Sequence, residues 1–250
     1  MLYFSLAADG TAGGVSTANE DIVAWNGSGF SLRFDGSDVG LASFNVDAFS
    51  IVSSNEVLLS FATAGTVPGI AGTVDDSDVV RFTASSLGST TAGSFEMYFD
   101  GSDVGLTTTG ENVDAVELLP DGSLLVSTTG AFSAGGVGAA DEDLVRFVPA
   151  SLGTATAGTW SRYFDGSDVG LSTNDGEDLD AAAVDANGRL HLSTLGAFSV
   201  PGVAGADEDV FVFTPTSLGN ATAGTYSTTL FFDGSPFGLG ANDVNAIDLP

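Results

Sequence analysis

Short runs of apolar residues alternate with polar turns along the whole chain. In one of four similar units the runs are LDAAAVD (179–185), RLHLSTL (189–195), DVFVFTP (209–215) and YSTTLFF (226–232). Runs of this length, partly β-branched or aromatic and bounded by turn residues, predict β-strands. No segment keeps an apolar period of 3.6 residues, so the pattern predicts no helix longer than a turn.

The runs belong to a unit that recurs along the chain. YFDGSDVGL stands at 98–106 and 163–171, RFDGSDVGL at 33–41 and FFDGSPFGL at 231–239. The aspartate of the FDG step recurs at spacings of 65, 65 and 68 residues. Four strands in a unit of this length, joined by hairpin signals such as LPDGS at 119–123, are typical of a β-propeller blade.

The two ends of the chain supply complementary parts of one unit. LYFSLAAD at the start matches the second strand of a unit, and NDVNAIDLP at the end matches the first strand. Pairing them in one sheet closes a ring and removes its exposed edges. We therefore predict an all-β fold, a four-bladed β-propeller with four antiparallel strands per blade, as one domain over residues 1–250. The blades are expected at 1–35 with 240–250, 44–100, 111–165 and 177–233.

The charge balance excludes several classes of partner. Asp and Glu number 33 against five Lys and Arg, for a formal net charge of −28. A surface of this sign repels nucleic acid and anionic membranes and attracts cations. No apolar run approaches the eighteen or so residues that cross a bilayer. We expect a cation as partner, no nucleic acid, no membrane insertion and a monomer.

Cysteine is absent and His191 is the one histidine. Disulfides, thiol nucleophiles and thiolate metal sites are therefore excluded, and zinc and copper sites are disfavoured.

The opening MLYFSLAADG lacks the basic and long apolar regions of a signal peptide. The chain is then either cytosolic or a mature fragment of a longer precursor. We predict the second, a secreted or cell-surface module, with a carbohydrate or a surface protein as a further candidate partner.

Each predicted innermost strand opens with an Asp-Ala or Asn-Ala step. If these strands surround the axis, their polar side chains converge there, and closely spaced carboxylates repel one another. Two roles fit them: together they hold a hard cation such as Ca²⁺ through oxygen ligands, or each accepts backbone N–H groups at its strand entrance. The residues are Asp47, Asp114, Asp180 and Asn245.

This arrangement resembles the hemopexin-like propeller, a four-bladed ring in which an Asp-Ala step opens each innermost strand. The matching steps are Asp47-Ala48, Asp114-Ala115, Asp180-Ala181 and the degenerate Asn245-Ala246. The resemblance implies that the first strands line a central tunnel that holds ions, commonly calcium. The present units are longer than those of the family, and the chain lacks the family's closing cysteine pair.

A second group of acids precedes the third strand of each unit, in the pattern Asp/Asn-x-Asp-apolar. Alternate side chains of an extended segment face the same way, so each pair projects together, as calcium ligands do. The alternative is that these acids cap the loop and keep a strand edge soluble. The members are Asn19 and Asp21, Asp76 and Asp78, Asp141 and Asp143, and Asp207 and Asp209.

The FDGSD segment follows the fourth strand of each unit and is interpreted as the connector between blades. Its Asp-Gly step predicts a tight turn with a positive φ at glycine, built by the first aspartate.

The loops after strands two and four are expected on one acidic face, and those after strands one and three on the other. Apolar residues of the second loop, such as Phe132 and Phe198, either form a binding platform or pack onto the blade; we favour packing.

The near-identity of the units favours a binding module over an enzyme, because an active site usually requires one blade to differ. His191 lies on a predicted strand and is expected to be structural. Neither a phosphate-binding loop nor a His-Glu-x-x-His motif occurs. We predict a non-catalytic extracellular binding, adhesion or scaffold module that binds calcium on its axis or acidic loop face. The alternative is a calcium-dependent hydrolase of glycosides or phosphoesters on the same face.

Overall fold

The computed structural model describes residues 1–172 and 176–249. Four four-stranded antiparallel sheets form the blades of a four-bladed β-propeller, which confirms the predicted fold class. The helices among these residues are short 3-10 turns, one after each outer strand, at Ser37–Val39, Ser102–Val104, Ser167–Val169 and Ser235–Phe237. None of the described helices has the length and apolar character that a membrane span needs.

Strands are numbered in chain order. The first unit contains β1 (Leu2–Leu6), β2 (Gly10–Ala12), β3 (Val15–Thr17), β4 (Ile22–Trp25) and β5 (Phe30–Phe34). The second contains β6 (Val46–Ser53), β7 (Glu56–Phe61), β8 (Val79–Ser86) and β9 (Ala92–Phe99). The third contains β10 (Val113–Leu118), β11 (Leu124–Thr128), β12 (Phe132–Ala134), β13 (Val137–Ala139), β14 (Leu144–Ser151) and β15 (Ala157–Phe164). The rest are β16 (Ala181–Val184), β17 (Leu190–Ser193), β18 (Phe198–Val200), β19 (Val203–Gly205), β20 (Phe211–Ser217), β21 (Ala223–Tyr226) and β22 (Val244–Asp248).

The last strand of the chain completes the first blade. β22 pairs antiparallel with β1, with Tyr3 opposite Asp248 and Phe4 opposite Ile247, and β1 pairs in turn with β4. The four sheets, from inner to outer strand, are β22-β1-β4-β5, β6-β7-β8-β9, β10-β11-β14-β15 and β16-β17-β20-β21. The inner strands β6, β10, β16 and β22 contact one another around the axis, and β10 also contacts β22 across it.

The apolar core lies between neighbouring blades. Phe34 of the first blade, for example, packs with Phe61 and Phe82 of the second, and all three are fully buried. Burying one such side chain contributes about 1.5–3 kcal/mol. Because each blade buries both of its faces, the ring of blades is held together by four such cores.

The loop between the second and third strands folds into a small ribbon in three blades. The ribbons are β2–β3, β12–β13 and β18–β19. Phe132 and Phe198 are each only 2% exposed. These loops therefore pack onto the blade, as we favoured, and do not present their phenylalanines as a platform.

The glycine of the FDG step is required for a reason that the sequence analysis did not foresee. Gly101 has φ −66°, so the predicted positive φ is wrong at this position, and the positive φ of 98° falls on Gly105. A Cβ atom on Gly101 would lie 2.3 Å from the carbonyl oxygen of Ser77. The residue must be glycine because the backbone of the preceding loop passes too close for a side chain.

The expected separation of the FDGSD and LGTATAG segments onto opposite faces is also wrong. The hydroxyl of Thr156 accepts the N–H of Asp100 (2.9 Å), and the Thr156 N–H donates to Oδ2 of Asp103 (2.9 Å). Thr91 and Thr222 make the same pair of bonds in their blades. Strand twist turns each outer strand toward the next blade, so its end meets the third loop of that blade.

The junction between the last and first blades is made differently. The first unit has NGSG at 26–29 where the others carry the threonine loop. Aromatic rings fill this junction: Phe30 and Phe237 lie 5.0 Å apart and Trp25 and Phe232 lie 5.1 Å apart, measured between centroids, both edge to face. Apolar packing thus replaces the threonine hydrogen bonds where the ring closes.

Candidate axial carboxyl site

The structure gathers the strand-opening residues at the axis, as the sequence predicts. Asp47, Asp114, Asp180 and Asn245 are exposed by only 7, 4, 4 and 7%. The amide of Asn245 donates to Oδ1 of Asp47 (3.0 Å), and the charges of Asp114 interact with those of Asp47 and Asp180. We call this group the axial ring.

β-Bulges direct the side chains of the axial ring. In β6, β10 and β22 the strand pairing skips Asp47, Asp114 and Asn245, leaving each opposite no partner residue. A bulge bends the strand and re-aims the side chain of the extra residue. The Asp-Ala step therefore marks a bulge at the strand entrance.

Amides surround one side of the axial ring. Oδ1 of Asp47 accepts from Asn245 and its Oδ2 accepts from the amide of Asn112 (3.2 Å). Burial raises the pKa of Asp47 to about 6, and these two amide donors limit the rise. This carboxyl has its hydrogen-bond partners within the protein.

Carboxyl groups without donors occupy the other side. Among the described residues, no donor reaches either oxygen of Asp180, nor Oδ1 of Asp114. Burial raises the pKa of Asp180 far above its usual range, and the neighbouring carboxyls of Asp243 and Asp114 raise it further. Ionising this group is costly unless a proton or a cation compensates it.

Two members of this carboxyl-rich half were missed in the sequence analysis. Asp178 and Asp243 each lie two residues before a member of the axial ring, and the second and third units carry Asn45 and Asn112 there. Burial raises the pKa of Asp178 to about 8 and that of Asp243 to about 7. The available signal was the exchange of asparagine for aspartate in this column, from NVD to DLD and DVN.

No arginine compensates these carboxyls. In the part of the chain that the structure describes, every arginine contacts groups away from the axial ring. The contacts are Arg33 with the Ser54 carbonyl, Arg81 with Glu96, Arg146 with Asp121, Arg162 with Asp143 and Asp165, and Arg189 with Asp185. The axial carboxyls thus form a group of oxygen ligands whose negative charge no basic side chain neutralises.

Such a donor set suits a hard cation, because Ca²⁺ and Mg²⁺ prefer carboxylate, carbonyl and water oxygens. Within residues 1–172 and 176–249, however, no three Asp, Glu or His side chains are arranged to enclose one metal ion. A cation at the axial ring would therefore rely on carbonyl groups or water for much of its coordination.

The second predicted group occupies the loops. In each of Asp21, Asp78, Asp143 and Asp209 both carboxyl oxygens accept backbone N–H groups, so each has a turn-building role. Oδ1 of Asp78, for example, accepts from Gly101 (3.0 Å) and Oδ2 from Asp75 (2.8 Å). A cation role for these four stays a prediction.

The other residues of that group border the next blade. The carbonyls of Asn19, Asp76, Asp141 and Asp207 accept the N–H that precedes or opens the following inner strand. The charge of Asp141 contributes to the raised pKa of Asp178, and that of Asp207 to the raised pKa of Asp243. Their side chains thus add negative potential to the carboxyl-rich half.

His191 has a structural environment. It lies on β17 with 1% exposure, its Nε2 is 3.4 Å from Oδ2 of Asp185, and its ring packs edge to face on Phe231. Burial lowers its pKa. These contacts anchor the hairpin between β16 and β17.

Comparison with known proteins leaves the family open. No family model and no curated protein matches the chain, so membership of the hemopexin-like family is not supported. Matching solved structures include the extracellular domain of the putative one component system BT4673 from B. thetaiotaomicron, with 9% identity and a TM-score of 0.36. Another, described as that of a putative hybrid two component system, has 9% identity and a TM-score of 0.32. They cover 93 and 92% of this chain, which spans about a third (35%) of theirs, and this likeness carries no argument about function.

Proposed function

We propose that this propeller is a non-catalytic binding module whose axial ring holds one hard divalent cation, calcium by preference. The observation that carries the proposal is the Asp180 carboxyl, which is buried and receives no donor on either oxygen. A buried carboxylate in this state destabilises the folded protein. A cation removes that penalty, and no arginine is placed to do so.

Asp180 and Asp243 would contact the cation directly, and Asp114 would reach it through a water molecule. They come from the entrances of adjacent inner strands, and each has at least one carboxyl oxygen without a donor. Because no three carboxyls enclose one point, we expect water to complete the coordination and the affinity to be modest. Dissociation constants of about 10⁻⁴–10⁻³ M are usual for extracellular calcium modules.

Protons compete with the cation for this site. In the absence of a cation, the raised pKa values of Asp180 and Asp243 mean that the pair keeps a proton near neutral pH. Calcium binding then releases protons and weakens as the pH falls.

We further propose that the module works outside the cell or at its surface, where calcium is abundant. Support comes from its charge of −28 and from a core that contains no cysteine to oxidise. A carbohydrate or a surface protein remains the proposed partner of the acidic loops, with bound cations bridging the contact.

Calorimetry tests the cation proposal. Calcium titrated at pH 7.5 into EDTA-treated, dialysed protein should bind at one site, and saturating calcium should raise the Tm by a few degrees through mass action. Asp180→Asn should abolish the heat, whereas Glu96→Gln, which removes an exposed carboxylate on an outer strand, should not. Absence of heat and of a Tm shift at 10 mM calcium, or unchanged binding in Asp180→Asn, would contradict the proposal.

A further inference from the structure

The inner strands end at a second opening, on the opposite side of the axial ring. A cavity of about 740 Å³ lies there, lined by residues from all four inner strands. We call it the lower mouth and define it by Ser50 of β6, Glu117 of β10, Val184 of β16 and Asp248 of β22. Cavities of this volume are typical of small-molecule sites.

Two acids of the lower mouth were not singled out by the sequence analysis. Glu117 and Asp248 each lie three residues beyond a member of the axial ring, where the other units have Ser50 and Ala183. The bulges at Asp114 and Asn245 shift the alternation of these strands by one residue. This shift explains how side chains three residues apart both reach the channel.

The two acids share their surroundings. Oε2 of Glu117 lies 3.5 Å from Oγ of Ser50, and Asp248 accepts the N–H of Ile51. Burial raises the pKa of Glu117, and the nearby Asp248 carboxyl raises it further; burial likewise raises that of Asp248. The wall of the cavity therefore contains two interacting carboxyls.

The remaining charges around the lower mouth cancel in pairs. Asp121 forms an ion pair with Arg146, and Asp185 forms one with Arg189. Tyr163 also lines the cavity, and burial raises its pKa, so that it stays neutral. Among the described residues that line this cavity, Glu117 and Asp248 are thus the acids without a basic partner.

The rest of the lining is largely apolar. Ile51 and Leu119 are buried, and Val52, Leu118 and Leu249, which also line the cavity, are partly exposed. An occupant must therefore combine positive charge, which complements the two carboxyls, with an apolar body that covers these side chains. A hydrated metal ion would leave the apolar walls uncovered.

We propose that the lower mouth binds an organic ammonium ion that carries an apolar body. The ammonium group lies between Glu117 and Asp248, and the apolar body covers Leu118 and Leu249. This site is separate from the axial ring and does not depend on cation binding there.

Three probes of similar shape test the proposal on the full chain by ¹H–¹⁵N chemical-shift titration. 2-Phenylethylamine, a cation, should bind with a dissociation constant of about 1 mM or lower and shift the amides around Glu117 and Asp248, as expected of a small ligand with one charge contact. Neutral 2-phenylethanol should bind at least tenfold more weakly, and 3-phenylpropanoate, an anion, should not bind. Equal binding of amine and alcohol, or no binding of the amine at 10 mM, would overturn the proposal.

Variants locate the binding and separate it from the axial ring. Glu117→Gln should weaken amine binding about tenfold while leaving calcium binding at the axial ring in place. Ala186→Trp changes an exposed hairpin residue that lines the cavity, so it should block the amine without unfolding the protein. Asp180→Asn should leave amine binding unchanged. If calcium displaces the amine, and does so with the dissociation constant measured for the axial ring, the amine and calcium share one site. That result would overturn the proposal.

Discussion

At the scale of single residues, identical Asp-Ala steps have different chemistry because their neighbours differ. Asp47 and Asp180 occupy equivalent positions, yet two amides donate to Asp47 and none to Asp180. The difference traces to the flanking residues: Asn112 and Asn245 donate to Asp47, whereas the neighbours of Asp180 are Asp243 and Asp114. An amide can donate to a buried carboxylate, whereas a second carboxylate can only share a proton with it.

The buried axial carboxyls should make the metal-free protein less stable at alkaline pH. Their pKa values in the unfolded chain lie near 3.8, and folding raises those of Asp47 to about 6 and Asp178 to about 8. The folded state therefore binds more protons, and stability should fall as the pH rises from about 4 to about 8. Melting in EDTA at pH 5 and pH 8 should give a lower Tm at pH 8, and calcium should restore it.

Asp180→Asn should raise the Tm of the metal-free protein at pH 8 by a few degrees. The amide supplies a donor for Asp243 and removes a buried charge, so the penalty of ionisation is lost. At pH 5, where the carboxyl is protonated in the folded state, the variant should differ little from the parent. The measurement is the difference in Tm between pH 5 and pH 8. If this difference is as large in the variant as in the parent, Asp180 is not a source of the loss of stability at alkaline pH.

At the scale of elements, regular turn chemistry is predictable and interrupted strands are not. The sequence predicts an outer strand at 226–232, whereas β21 spans Ala223–Tyr226 and Phe232 returns as an isolated bridge to Val210. Two of the three extra residues in the last FDG spacing lie between the TAG and FDG steps, and they interrupt this strand. The ribbons β12–β13 and β18–β19 were missed because their segments are rich in glycine and alanine, which carry little strand signal.

Thr156→Val tests the threonine contact between blades. Valine keeps the shape of threonine but leaves the N–H of Asp100 without the hydroxyl acceptor that it has at 2.9 Å. We expect a loss of about 1–3 kcal/mol, or a Tm lower by several degrees, in urea and thermal unfolding.

The matched control is Thr154→Val, in the same loop, where the threonine is exposed. It should change the Tm by less than a degree. If both variants melt alike, the contact between Asp100 and Thr156 does not stabilise the junction between blades.

At the scale of the whole molecule, the repeat makes the ring predictable and hides what departs from the repeat. The phase of the two ends predicts that β22 pairs with β1, since each supplies the strand that the other lacks. The Glu117–Asp248 pair was not predictable in this way, because serine and alanine occupy the equivalent positions of the other units. The aromatic junction of Trp25, Phe30 and Phe232 was not predicted either, because it also departs from the repeat.

Circular permutation should preserve the propeller if the ring is its unit of stability. β22 and β1 form an antiparallel pair like the β6–β7 hairpin, so a short Asp-Gly-Ser linker should join residues 249 and 2. Opening the chain between Asn187 and Gly188, in the exposed turn after β16, should give a cooperative melt within a few degrees of the parent.

The contrasting permutant opens between Asp165 and Gly166. Here the Gly166 N–H donates to Oδ1 of Asp143 and the Asp165 N–H donates to Thr222, so new termini would break a junction between blades. We expect this permutant to melt much lower or to lose its cooperative transition. Equal melting of the two permutants would show that the connector is dispensable.

The pairing of Leu2–Leu6 with Val244–Asp248 has a consequence for biosynthesis. At translation rates of about 5–20 residues per second, the opening strand waits for roughly 12–48 s before its partner leaves the ribosome. During that interval its inner edge is unpaired, and its apolar side chains lack the part of their native cover that later residues such as Phe232 and Ile247 supply. A nascent chain of this protein is therefore a natural client for a chaperone that binds extended apolar segments, until the final strand arrives.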